Sequence, residues 1–359
     1  MISLYRKKLI FSFLKHILKV SLFFLSLILI LNVLEEIKFF KNLDNNFFLP
    51  IFLTLLNSSS ILFEIFPFIF LIGTMNFFIE ILDKNELVIY KSVGLPNIKI
   101  LGTIIGATFL AGIFLVVIFY NISSNLKFLY FDIKNDHTKD DKYLAVITAN
   151  GLWIKDQIDE SIFIINAAKL NGTILTKVLI NEFDKNYNFV RLINSQEVDI
   201  QNNDWVVKKS YITKDNITSY DDTGFILKTN FNSEKILKLF SNLSSLNFWQ
   251  LQELRNDYKS LGYSTAKLDI HFQFLLSYPF YLSIMVCIAA ILMLNIGHNK
   301  PRIMYLVSGI LVSVLIYYLN YLFNLLIESQ KIPFMFSIWA PQFLLLLICS
   351  VGLVRINEK

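Results

Sequence analysis

Cysteine is nearly missing from this chain. There are two in 359 residues, Cys287 and Cys349, each inside an apolar run, so neither a disulfide framework nor a thiolate metal site is indicated. Charge is also scarce, at 17% Asp, Glu, Lys and Arg against about 25% in soluble domains. The four histidines, His16, His137, His271 and His298, stand far apart, and none has a second His or Cys at metal-ligand spacing. Proline and glycine number seven and twelve, too few for a collagenous or low-complexity chain. No Gly-x-x-x-x-Gly-Lys-Ser/Thr run, Gly-x-Ser-x-Gly elbow or His-Glu-x-x-His helix occurs, so these residues offer no P-loop, hydrolase triad or metalloprotease site. No catalytic residue, metal ligand or cofactor is expected. The basic residues form no stripe interleaved with aromatics, which excludes nucleic acid as a partner.

What is abundant is apolar sequence: 55% hydrophobic residues, 34 of them Phe. A membrane-crossing helix needs roughly 20 apolar residues. Six runs qualify: about 14–34, 61–82, 100–120, 272–294, 303–326 and 334–354. The apolar stretch from Phe47 to Leu56 either extends the second helix or lies in the interface. No small-residue cleavage site follows the first run, so it reads as a retained helix. Lys and Arg orient the set. Arg6, Lys7, Lys8, Lys15 and Lys19 precede any acid. Lys84, Lys91 and Lys99 outnumber Asp83 and Glu86, and Lys300 and Arg302 have no acid beside them. The loop from Glu35 to Asn46 holds three acids against Lys38 and Lys41. Both termini are therefore expected in the cytoplasm, with the long polar interval after the third helix outside.

That interval, about 121–269, carries eighteen basic and nineteen acidic residues and is large enough for its own core. Short β-type runs recur in it: a hairpin across Asn150-Gly151 within 143–156, then 161–167, 173–183, 189–200, 205–213 and 224–229. Many short strands at close spacing predict an antiparallel sandwich or jelly roll. A helix over 248–261 closes it, with Trp249, Leu254, Tyr258 and Leu261 on one face and Gly262 as its stop. The expected fold is an α-helical membrane protein of six transmembrane helices, three and three, with an inserted periplasmic β-jellyroll-like domain. Its parts are residues 1–120, 121–269 and 270–359.

Ionisable groups within the apolar runs amount to little beyond Glu64 and Glu80, both read as interfacial acids near helix ends. Proton relays and intramembrane acid–base chemistry are thereby disfavoured, and any energy must come from a partner. Between the second and third helices, Asp83 and Glu86 suit a capping box, and Gly94 and Pro96 suit a stop. A cytoplasmic helix over 83–94 results, with Leu87, Tyr90 and Gly94 on one face and Val88 and Lys91 alongside. From spacing alone it is either an amphipathic loop resting on the membrane or a coupling helix seated in a nucleotide-binding subunit. Pro67 and Pro279 are expected to kink the second and fourth helices, and Gly102-x-x-x-Gly106 to permit close packing of the third.

The run from Phe63 to Ile100, FEIFPFIFLIGTMNFFIEILDKNELVIYKSVGLPNIKI, resembles the signature region of the LptF/LptG lipopolysaccharide-export permeases. The topology extends that resemblance over essentially the whole chain. Gly151-Leu152-Trp153, Phe248-Trp249, Ile338-Trp339-Ala340-Pro341 and the run LEEIKFFK at 34–41 are more similar to LptG than to LptF. The resemblance implies a non-enzymatic permease subunit that pairs with an LptF-like subunit. It also implies an LptB-like ATPase dimer and a periplasmic bridge of LptC- and LptA-like proteins. The cargo it implies is lipopolysaccharide. Asp83, Asn85, Glu86, Leu87, Tyr90, Lys91 and Gly94 would then form the coupling helix. Lys38 and Lys41 would meet lipid A phosphates, with Glu35 and Glu36 weakening the local field. Other classes remain: the LptF-like partner of the same complex, or a membrane-anchored periplasmic binding or scaffold protein.

Overall fold

The computed structural model describes residues 4–40, 48–136, 152–158, 160–215, 217–233, 235–236, 242–260, 265–294, 302–328 and 333–357. The chain divides into two compact units, Met1–Ser123 with Ala266–Lys359, and Ser124–Thr265.

The first unit is helical. Its spans are α1 (Leu4–Phe40), α2 (Phe48–Asp83), α4 (Asn97–Phe114), α7 (Ala266–Leu294), α8 (Arg302–Glu328) and α9 (Phe334–Asn357), with a short α3 (Glu86–Ser92) after α2. Among the described residues, six helices are long and apolar enough to cross a membrane. Most outrun their apolar stretches. The 37 residues of α1 span about 55 Å, well beyond a hydrocarbon core of about 30 Å. Lys- and Glu-rich flanks are good helix formers that hydropathy leaves out. From Phe48 on, the stretch to Leu56 belongs to α2, and Phe47 lies outside the described residues. The third span runs on through a π turn (Leu115–Phe119) into α5 (Tyr120–Asp136), so the segment after Tyr120, expected as the start of the outer domain, is still helix.

Glycines set the helix crossings, though not those of the expected pair. A Cβ on Gly102 or Gly106 would meet nothing within 4 Å, whereas one on Gly112 would lie 2.7 Å from the Pro279 Cα. The α4–α7 approach is therefore at Gly112, and the Gly102/Gly106 pair faces outward because that side of α4 is unpacked. Proline at 67 removes the donor that would bond the Phe63 carbonyl four residues back. The buried Tyr278 hydroxyl donates to that carbonyl at 2.5 Å, and its ring stacks on Phe63 at 4.5 Å. A polar group freed inside a membrane helix thus finds a partner on its neighbour.

The second unit holds an antiparallel sheet of β1 (Leu152–Ile158), β2 (Ser161–Asn171), β3 (Ile174–Asp184), β4 (Phe189–Asp199), β5 (Asp204–Lys214), β6 (Ile217–Asp221) and β7 (Phe225–Lys228). Neighbours in sequence pair in order through β6, and β7 returns to β5. The first arm of the hairpin at Asn150-Gly151 lies outside the described residues. Strand β6, unread in the sequence, is short, polar and exposed, so it carries no alternation to find. It and β7 lie along one edge of β5, with one extra residue between Asp221 and Phe225. Gly224 takes φ +76° there, and a Cβ would come 2.9 Å from the Val207 carbonyl oxygen.

Alternation along these strands has a fault line. In β2 the buried Ala167 is followed by exposed Ala168 and Lys169, then buried Leu170. The same doubling occurs at Gln196-Glu197 in β4 and Lys208-Lys209 in β5. Lys177 and Lys209 are in left-handed conformation, at φ 50° and 49°. The row crosses four strands in register and exchanges inward and outward positions. A crease of this kind lets one sheet close on itself as two layers do. Within the core, Trp205 is fully buried and its Nε1 donates to the Phe231 carbonyl at 2.7 Å.

The closing helix is α6 (Phe248–Ser260). Its inward face is Leu251 and Leu254, with Tyr258 half-buried; Trp249 is exposed, and Leu261 and Gly262 lie outside the described residues. Trp249 and Leu254 are five residues apart and so point to different sides, while 251, 254 and 258 keep helical spacing.

Candidate functional site

Two places in the helical unit concentrate polar side chains. The first is α3. Helix α2 continues through Asp83, so the position before α3 falls to Asn85, which adopts φ 54° and makes no side-chain cap bond. The expected capping box at Asp83 is thereby displaced, and Glu86 turns elsewhere: Lys8 on α1 donates to its carboxylate at 3.1 Å. The stop is as the sequence implies. Gly94, at φ +81°, donates to the Lys91 carbonyl and Leu95 to that of Tyr90, the pair of bonds that ends helices at a left-handed glycine. Tyr90 is buried and Leu87 half-buried against the chain itself, and burial pushes the Tyr90 hydroxyl above its ordinary range. Val88, Ile89, Lys91 and Val93 face outward. Asp83 and Asn85 are exposed beside them.

Below that contact, α1 and α2 are joined again. The His16 Nδ1 lies 2.8 Å from the Ser12 carbonyl and the Nε2 2.6 Å from a Glu80 carboxylate oxygen. A carbonyl only accepts, so Nδ1 donates to Ser12, and Nε2 faces the Glu80 carboxylate. Lys84 pairs with the other Glu80 oxygen. Glu80 is therefore an interhelical clasp and not the plain interfacial acid the sequence suggested. Lys8 and His16 escaped the sequence reading because both partners are 64 or more residues away along the chain.

The second place is a cavity of about 870 Å³ among α1, α2, α7, α8 and α9. Its wall is largely apolar, with Phe24, Leu31, Phe68 and Met285 among the lining side chains. Glu64, an exposed residue of α2, also lines it. Helix α8 contributes Ser313, Tyr317, Asn320, Tyr321 and Asn324, a stripe at i, i+4, i+7, i+8 and i+11, and α9 contributes Gln342. Uncharged amides inside apolar runs carry little weight in a search for charges, and only the packing groups them with Glu64.

Of the two lysines expected to meet phosphate, Lys41 lies outside the described residues and Lys38 is exposed in the last turn of α1. Phe24, Leu27, Ile28 and Leu31 of α1 line the cavity. Seven residues beyond Leu31, Lys38 continues the same helical stripe about 10 Å further along the axis.

Residues 7–355 match the family described as lipopolysaccharide export system permease LptF/LptG. The chain belongs to that family. Among curated proteins none matches it. As a member, it is a lipopolysaccharide-export permease subunit of an ABC-type transporter and a multi-pass protein of the inner membrane. Two polar sites in an otherwise apolar bundle suit such a permease, which needs a point of contact with an energy source and a space for an amphiphile. Of the residues expected at the ATPase contact, Glu86, Leu87, Tyr90 and Lys91 are in α3, Gly94 follows its end, and Asp83 and Asn85 precede it; Lys38 is not among the residues that line the cavity.

Proposed function

We propose that this chain is the LptG-like half of the transporter, with both termini cytoplasmic and the β unit, bounded near residues 121–269, in the periplasm. An LptF-like subunit completes the membrane part, and an LptB-like ATPase dimer docks at α3. Lipopolysaccharide enters the cavity from the membrane and leaves towards LptC- and LptA-like bridge proteins. The observation that carries this reading is the build of α3. Its inner residues are packed, its end is fixed by Gly94, and Val88, Ile89 and Val93 stand exposed beside Lys91. A short helix so held moves as a rigid piece. The Lys8–Glu86 contact ties it to α1, whose other end carries Lys38. In this reading ATP-driven displacement of α3 reaches the wall of the cavity through α1 and α2 together. Lys38 and Lys41, as ammonium groups at headgroup depth, pair with lipid phosphates.

Affinity purification of the full chain from its own host, followed by an ATPase assay, tests the reading. An ATP-hydrolysing subunit is expected to co-purify; recovery of the chain alone overturns the assignment. Val88→Asp with Ile89→Asp is expected to release that subunit while the chain remains membrane-inserted. Glu86→Ala is expected to weaken both the α1 tie and ATPase association. Charge reversal at Lys38 is expected to reduce crosslinking to lipopolysaccharide.

A further inference from the structure

Two residues, Lys84 and Asn85, join α2 to α3. Their N–H groups still donate to α2, to the Glu80 and Leu82 carbonyls, while Val88 and Ile89 already donate to the Asn85 carbonyl. Asn85, at φ 54°, is thus where the chain turns, and its dihedrals set the angle between the two helices. Side chains on both flanks of that joint are tied to α1. On one flank Lys84 pairs with Glu80, whose other carboxylate oxygen lies 2.6 Å from the His16 Nε2. On the other, Glu86 accepts from Lys8 at 3.1 Å. Lys8 and His16 stand about 12 Å apart along α1, so a single helix holds the joint from both sides. That helix is itself fixed on α2. The fully buried Phe13 meets Phe77 edge-on at 5.6 Å, and a Cβ on Gly73 would lie 3.2 Å from the Ile17 Cα.

We infer that α1 braces the α2–α3 joint, and that His16 is the positioning residue which, through Glu80, holds α3 at its angle to α2. A displacement imposed on α3 is either absorbed by rotation at Asn85 or passed on to the helix pair. Fixing both flanks closes the first route. The two ties are unequal. Lys8 is largely exposed, and an exposed ion pair contributes little. His16 is buried, with its Nδ1 held by the Ser12 carbonyl, so its ring presents Nε2 to Glu80 in one orientation. An ionisable pair among apolar helices is costly to keep, and plain packing would be served as well by two apolar side chains. The inference rests on α3 being the ATPase contact, as proposed above.

The test uses the full chain with its co-purifying subunits in proteoliposomes. It reads labelled lipopolysaccharide delivered to a purified LptA-like acceptor per ATP hydrolysed. His16→Leu with Glu80→Leu replaces the pair by apolar side chains of comparable volume, a change that folding tolerates at buried pairs. That variant is expected to assemble and to hydrolyse ATP at near the native rate, while delivery per ATP falls about fivefold. Glu80→Gln keeps an acceptor for His16 and is expected to retain the native ratio. Lys8→Met, an exposed change that leaves the fold alone, is expected to lower the ratio about twofold. A native ratio in the double variant, or in Lys8→Met should the double variant not assemble, overturns the inference and leaves the transport reading standing. Parallel loss of hydrolysis and delivery in the double variant assigns the pair to docking and overturns the inference as well. Failure of the native complex to deliver lipid on ATP overturns both.

Discussion

The two units answer their ionisable groups by different means, the β unit from neighbouring strands and turns and the helical unit from one helix to the next. In the β unit the fully buried Asp156 accepts from the Asn230 amide and backbone N–H at 2.8 and 2.9 Å, and Glu182 is bonded by Arg191. Each buried charge there is answered from inside the unit. In the helical unit the Phe63 carbonyl and Glu80 are answered and Glu64 is exposed, while the buried Gln342 Oε1 has no partner among the described residues, as Asn97 Oδ1 and, in the β unit, Ser210 Oγ have none. A satisfied network supports a structure, whereas open acceptors are tolerated where a ligand or water completes them.

Removing answers should therefore weaken structure, and removing the open acceptors should not. The largest effect is expected from Asn230→Ala, which deprives the buried Asp156 carboxylate of its amide donor. About 2–3 kcal/mol should be lost, seen as faster limited proteolysis of the β unit in the full chain. Gly112→Ala is expected to cost about 1–3 kcal/mol because the added methyl meets the Pro279 backbone, while Gly106→Ala should be neutral within error. Retention of the folded fraction on heating in detergent compares the two. Tyr278→Phe leaves the Phe63 carbonyl without that donor and should cost about 1 kcal/mol, whereas Glu64→Gln should leave thermal retention unchanged. Equal losses in the last two would erase the distinction between answered and open groups.

The smallest effect concerns pH. Asp184 is half-buried and its carboxyl is held below the usual range, first by Asn188 and then by the backbone N–H of Asn186. A depressed carboxyl stabilises above its unfolded value and loses that contribution as pH falls through the folded one. Protection of the Asn186 and Asn188 amides from hydrogen exchange should therefore decline at acid pH, below about pH 4. An unchanged protection pattern there would place the stability of this turn in its backbone alone.

How far the sequence reached can be seen residue by residue. Gly94 as a helix stop was legible because a left-handed residue in the right place is a local requirement. The capping box at Asp83 was not, since whether α2 ends before or after that residue depends on the turn at Asn85. On α6 the inward stripe is Leu251 and Leu254 with half-buried Tyr258, and the large aromatic at 249 lies off that stripe. Within the membrane spans Glu64 was visible as an acid, but its position on a cavity wall was not. Its neighbours there come from α8 and α9, about 250–280 residues away in sequence.

The sequence by itself determined the six apolar spans, the inserted β unit and the lack of a P-loop. All three follow from composition and period-two or long-run patterning, which need only local information. Only the tertiary structure decided which polar groups meet: Lys8 with Glu86, His16 with Glu80, and the Tyr278 hydroxyl with the Phe63 carbonyl. In helices so uniformly apolar, hydropathy says that each one crosses the membrane but not which face it turns inward. That choice is made by packing, where a missing Cβ, a proline-freed carbonyl or an interhelical ion pair selects one arrangement of the bundle.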